Sequence, residues 1–95
     1  MTNKINQDLI SSLINNNDKV LDIGCGNGEL LYFLEKTKNI QGQGIEISHL
    51  GVKESVTKGL SVIQGDADED LVSFTNNTFD VVILSDTLQA THKPK

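Results

Sequence analysis

Apolar positions along the chain switch repeatedly between a helical and an extended period. Ile5, Leu9, Ile10, Leu13 and Ile14 recur at spacings of four, one, three and one, which predicts a helix with one apolar stripe over residues 1 to 15. Asn15, Asn16, Asn17 and Asp18 end it, because Asn and Asp bond their own backbone and tolerate the left-handed region, as a turn requires. Val20 to Ile23 is a short aliphatic run stopped by Gly24. Helical spacing then returns in Leu30, Leu31, Phe33 and Leu34, between Glu29 and Lys36. Asn39 is placed to end that helix, and Gly42 to Ile47 reads as a second strand. Ser48 offers an N-cap for a third helix, with Leu50 and Val56 on its inner face and Gly59 as its left-handed stop. A third strand follows at Leu60 to Ile63, and Asn76 and Asn77 make a turn before the fourth, Phe79 to Leu84. Thr87 is placed to cap a last short helix, whereas residues 71 to 75 carry no assignable pattern.

Strands that alternate with helices in this way predict right-handed βαβ crossovers and a parallel sheet. Unbroken aliphatic runs such as VVIL imply burial on both faces. Helices are therefore expected on each side of the sheet, the N-terminal helix among them. The fold class expected is α/β, in three layers. In open parallel sheets ligands sit beyond the carboxyl ends of the strands, so the four loops Asp22 to Gly28, Glu46 to His49, Gln64 to Asp70 and Ser85 to Leu88 are where function is sought.

Composition narrows the classes. Ninety-five residues with 37% hydrophobic content fit one small domain with a thin core. No apolar run approaches membrane-spanning length and the start, MTNKINQDLI, lacks a signal-peptide apolar region, so a cytoplasmic protein is expected. One cysteine gives no internal disulfide, and two histidines 43 positions apart suggest no metal ligand pair. Eight lysines, no arginine, a net charge of -5 and few aromatics argue against nucleic-acid binding.

The first loop, Asp22-Ile23-Gly24-Cys25-Gly26-Asn27-Gly28, puts three glycines at alternate positions between a strand and a helix. Bare backbone can turn sharply there and approach a ligand, and the helix start presents N–H donors. The GxGxG spacing differs from the GxGxxG of dinucleotide proteins, and the charge of Asp22 opposes a pyrophosphate. Glu46, eighteen residues after Gly28 at the end of the second strand, is placed to accept two ribose hydroxyls. In the third loop, Asp68, Glu69 and Asp70 suit a solvated helix start. Asp66 follows Gly65 at the strand end and is placed to accept a purine amine. Together these loops describe a nucleoside with a cationic or zwitterionic tail.

These residues resemble the class I methyltransferases that bind S-adenosylmethionine. More narrowly, VLDIGCGNGELL, GQGIEIS, VIQGDADEDL and FDVVILSDTLQATHKP resemble the MetW family of methionine biosynthesis, over nearly the whole chain. The resemblance implies a Rossmann-like sheet truncated to about the first four of seven strands, in the order 3-2-1-4. It implies S-adenosylmethionine or S-adenosylhomocysteine as ligand. The contacts it implies are Asp22, Gly24, Cys25, Gly26 and Gly28 under the amino-acid tail, Glu46 and Ile47 at the ribose side, Asp66 and Ala67 at the adenine, and Leu84 and Ser85 beside the tail. It also implies a homoserine O-acyltransferase, MetX, as a partner that such a protein activates. An enzyme, a partner-activating module and, in another class, a nicotinamide oxidoreductase all stay open at this point. No motif names a catalytic base. Asp86 and His92 are the nearest candidates, His49 suits a pocket wall or a helix start, and no histidine is linked by motif to Cys25 as in a nucleophilic thiol. A sheet ending at the fourth strand would leave an unpaired aliphatic edge, from which homodimerisation, aggregation or continuation into a longer protein is expected.

Overall fold

The computed structural model describes residues 4–66, 79–85 and 89–92. In chain order these form α1 (Lys4–Ser12), β1 (Lys19–Ile23), α2 (Glu29–Lys38), β2 (Gln41–Glu46), α3 (His49–Thr57), β3 (Val62–Gln64), β4 (Val81–Leu84) and β5 (Gln89–His92). The asparagine run is a turn, as expected. Asn17 is left-handed, and its backbone N–H donates to the Lys38 carbonyl at 3.0 Å. Asn39 ends α2 in the same conformation and donates from its side-chain amide to Asn17 Oδ1 at 2.8 Å. Two asparagines thus tie the start of β1 to the end of α2.

The sheet order is β3-β2-β1-β4-β5. The first four strands are parallel in the expected order, with β1 central: Val20 lies beside Gly42 on one flank and Val81 on the other. The expectation of an open β4 edge is corrected. β5 returns antiparallel along β4, pairing Leu84 with Gln89 and Val81 with His92. An antiparallel neighbour needs only a short connection, so the chain satisfies its own β4 edge. Pairing between copies through that edge has no support. The last short helix is likewise replaced by a strand at Gln89–His92, and Thr87 lies outside the described residues.

Register sorts the strand residues between two faces. Val20, Val62, Val81 and Ile83 share one face and join Ile10 of α1, Ile14 just beyond it, Leu30, Leu31 and Leu34 of α2, and Leu60 in a single buried cluster. Gly42 and Gly44 of β2 lie on this face too. A Cβ at Gly44 would sit 2.8 Å from Cys25 Sγ and 3.1 Å from Leu31 Cδ1, so bare backbone is what lets α2 lie close to the strand. Leu21 and Ile45 are buried on the opposite face. All three described helices, α1 among them, contribute to the one cluster, Val52 of α3 packing at its border; residues 67–78 between β3 and β4, where a helix for the other face is expected, lie outside the described residues.

The inner face of α3 also differs from expectation. Leu50 and Val56 are 63% and 53% exposed, and the buried positions are Gly51 and Ser55. Small residues hold that face because α3 packs on backbone, where larger side chains have no room. Gly59 does end α3 in the left-handed conformation, and Ser48 does cap it, its hydroxyl accepting from the Gly51 N–H at 3.2 Å. No helix among the described residues is long and apolar enough to cross a membrane.

Candidate functional site

The loop between β1 and α2 is built on three left-handed glycines, Gly24, Gly26 and Gly28, with φ of 75°, 59° and 83°. Each would strain an L-residue by about 1–2 kcal/mol, which accounts for the alternate spacing. Their surroundings differ. A Cβ on Gly28 would overlap Leu60 Cδ1 and come within 2.8 Å of Ser55 Oγ, whereas a Cβ on Gly26 would meet nothing within 4 Å. Gly28 serves packing. Gly26 faces open space at the carboxyl end of β1, and bare backbone lines that space.

The loop amides are largely engaged by the chain itself. Gly24 and Cys25 donate to the Ile45 carbonyl at 2.8 and 3.2 Å, and Gly28 donates to the Cys25 carbonyl at 3.0 Å. Gly26 donates to Glu46 Oε1 at 2.6 Å, and the other carboxylate oxygen of Glu46 accepts from Ser48 N–H at 2.9 Å. Glu46 therefore joins three pieces of the rim: the end of β2, the glycine loop and the start of α3. α3 then holds the far side of the loop. The buried Ser55 hydroxyl donates to the Gly26 carbonyl at 3.0 Å, and Lys58 Nζ donates to the Asn27 carbonyl at 2.9 Å. Asn27 Oδ1 accepts from Glu29 N–H at 3.1 Å and so closes the start of α2.

Beneath the loop Asp22 is fully buried and accepts a hydrogen bond from the Ser85 hydroxyl at the end of β4. The Cys25 thiol is pushed up to about 12, first by burial and then by the negative charges of Asp22 and Glu46. Cys25 is thus a neutral packing group, in keeping with the absence of a motif partner for it, and its side chain belongs to the core. Gly65 donates to the Glu46 carbonyl at 3.1 Å, which places the Asp66 backbone at the rim next to β2. Gln64 Nε2 donates to the Ile47 carbonyl at 3.2 Å, and Ile47 itself is 68% exposed beside Glu46.

The structure therefore gathers Asp22, Gly24, Cys25, Gly26, Gly28, Glu46, Ile47, Asp66, Leu84 and Ser85 along one rim, at the carboxyl ends of β1 to β4. Ala67 and Asp86 lie outside the described residues, and His92 falls in β5, away from the loops that follow β1 to β3. His49 is the exposed first residue of α3. Sequence reasoning missed Ser55, Gly51 and Lys58. One signal was available: Gly51 and Ser55 are four apart, which on a helix makes a small-residue face suited to close backbone packing.

Comparison with known proteins bears on the family and the fold. The model of the family described as methionine biosynthesis protein MetW matches residues 4–95. The bifunctional methionine biosynthesis protein MetXA/MetW of Rhodopirellula baltica is 32% identical over 98 residues, covering 95% of this chain and 16% of that protein. An RNA methyltransferase from Salinibacter ruber, crystallised with S-adenosyl-L-homocysteine, superposes with a TM-score of 0.74 at 28% identity, covering 88% of this chain and 59% of its own. A TehB-like S-adenosylmethionine-dependent methyltransferase from Corynebacterium glutamicum gives a TM-score of 0.72 at 22% identity, covering 83% and 42%, and shows the shared fold. The chain thus spans only a fraction of the length of the proteins it matches. It belongs to the methionine biosynthesis protein MetW family, within the Rossmann-like fold of the class I methyltransferases.

Proposed function

We propose that this methyltransferase-like chain binds S-adenosylmethionine on the rim, and that the open space over Gly26 receives the amino-acid tail. The observation that carries the proposal is the pairing of that bare backbone with the Glu46 carboxylate. The donor set fits the group. Each Glu46 oxygen accepts one amide and keeps a lone pair for a ribose hydroxyl. Ile47 offers an exposed apolar surface beside the sugar site for the base, and Asp66 would accept the adenine amine. When bound, the cofactor supplies an electrophilic methyl group on a sulfonium. The chain's own residues bind and orient; Asp22, held by Ser85, fixes the floor of the rim. No catalytic base is assigned.

Pyrophosphate binding is disfavoured by the same geometry. The amides of Gly24, Cys25, Gly26 and Gly28 point into internal acceptors, and two carboxylates stand beside the loop. The test is calorimetric titration of the chain with S-adenosylhomocysteine and, separately, NAD. Saturable binding of the first alone is expected; binding of NAD alone, or of neither, would overturn the proposal.

A second reading concerns the partner. The name of the Rhodopirellula baltica relative joins MetXA and MetW in one protein, which supports a module that works together with a MetX protein, the homoserine O-acyltransferase that the resemblance implies as its partner. Stimulation of such an acyltransferase without methyl turnover supports the module, and methyl transfer to a small acceptor supports an enzyme.

A further inference from the structure

Ser55 has no part in the sequence motif, yet it is fully buried in the last turn of α3 with its hydroxyl on the glycine loop. Serine is a weaker helix former than alanine, so packing alone would favour alanine at a site with room for so small a side chain. The hydroxyl does something packing does not. Gly26 is the loop residue that faces open space, and both of its peptide groups are held: the N–H by Glu46 and the carbonyl by Ser55. Gly51, one turn earlier on α3, presents bare backbone to the same carbonyl, since a Cβ there would stand 2.8 Å from Gly26 O. A left-handed glycine has many accessible conformations when untethered, and only one leaves this surface in place.

We infer that Ser55 is a positioning residue, whose hydrogen bond presets the Gly26 peptide so that the loop receives the amino-acid tail of the ligand without rearranging. The inference rests on the proposed binding of S-adenosylmethionine and adds to it a residue that touches the loop and not the ligand. Removing the hydroxyl leaves the Gly26 carbonyl with only the weak Cys25 thiol donor at 3.9 Å and spreads the loop over other conformations, which lowers affinity in proportion to the competent fraction.

The test compares two ligands on the wild-type chain and on Ser55→Ala. S-adenosylhomocysteine carries the amino-acid tail, and 5′-methylthioadenosine has the same nucleoside without it. Ser55→Ala is expected to weaken S-adenosylhomocysteine about fivefold, as the loss of one buried hydrogen bond implies, and to leave 5′-methylthioadenosine unchanged. It is also expected to speed amide hydrogen exchange at Gly26 and Asn27 in the ligand-free chain. Equal weakening of both ligands with unaltered exchange would show a merely structural serine and overturn the inference alone. A wild-type chain that binds neither ligand would overturn the binding proposal and this inference with it. If Ser55→Ala loses its cooperative melt, Ser55→Cys, which keeps an atom at the γ position with a weaker donor, carries the same comparison with the same expectation.

Discussion

Gly26→Ala and Gly28→Ala are the same chemical change two residues apart, and the structure separates their consequences. Both add a methyl at a left-handed residue, at φ of 59° and 83°, so both carry a conformational cost of about 1–2 kcal/mol. At Gly28 the new Cβ also overlaps Leu60 and approaches Ser55 Oγ at 2.8 Å, adding overpacking of about 1–3 kcal/mol. At Gly26 it meets nothing within 4 Å. The sums are about 2–5 kcal/mol for Gly28→Ala and about 1–2 kcal/mol for Gly26→Ala, to be set against a total of roughly 5–14 kcal/mol for a domain of this size. At about 4–8 °C per kcal/mol, Gly28→Ala should lower Tm by at least about 8 °C, and Gly26→Ala by about half as much as Gly28→Ala or less. Binding should rank the other way. The Gly26 methyl projects into the space proposed for the ligand tail, so S-adenosylhomocysteine affinity should fall at least about tenfold in the more stable variant. The assay is thermal denaturation followed by calorimetric titration below both melting points. Equal melting temperatures, or unchanged ligand affinity in Gly26→Ala, would refute the division of labour between the two glycines.

Three further outcomes follow from the site and its surroundings. Glu46→Ala should weaken S-adenosylhomocysteine by about 100-fold or more, since it removes the acceptor of two hydroxyls at about 1.5–3 kcal/mol each; calorimetry that finds the two proteins within threefold of each other contradicts the ribose assignment. Cys25, with its thiol pushed up to about 12, stays protonated across the working range, so iodoacetamide labelling of the folded chain at pH 8 should be far slower than after unfolding in urea. Labelling at equal rates contradicts its burial. Burial raises the Glu35 carboxyl above its ordinary value, outweighing the opposing pull of Lys36. A carboxyl raised in the folded state destabilises the fold once pH climbs past its ordinary value, and has no effect where it is protonated in both states. Glu35→Gln should therefore raise Tm at pH 7, with the gain vanishing in acid; a gain independent of pH would point to some other cause.

What the sequence showed and what it hid divide along physical lines. The β1 and β4 aliphatic runs, the asparagine turn, the Ser48 cap and the Gly59 stop were legible, because each rests on a local preference of one or a few residues. The glycine loop was legible for a similar reason: left-handed backbone is a property of the residue itself. Leu50 and Val56 misled because hydrophobic spacing alone assumed that α3 packs on side chains, whereas it packs on the backbone at Gly26, where only Gly51 and Ser55 fit. β5 was missed because QATH has no apolar alternation; its pairing with β4 comes from the unsatisfied edge it finds there. At the site, residue types and strand-end positions pointed to Glu46, but not to its hold on the Gly26 and Ser48 amides. Those bonds depend on how three separate segments meet, and spacing along the chain does not encode that.

The central claim is that the rim formed by the Gly26 backbone and the strand-end acids Glu46 and Asp66 holds an adenosyl amino acid. Heteronuclear NMR of the labelled chain, titrated with S-adenosylhomocysteine, tests it residue by residue. Amide shifts centred on Gly26, on Glu46 through Ser48, and on Gly65 and Asp66, saturating together, are the result this account predicts. Saturable shifts confined to other parts of the chain, with these amides unmoved, would contradict it.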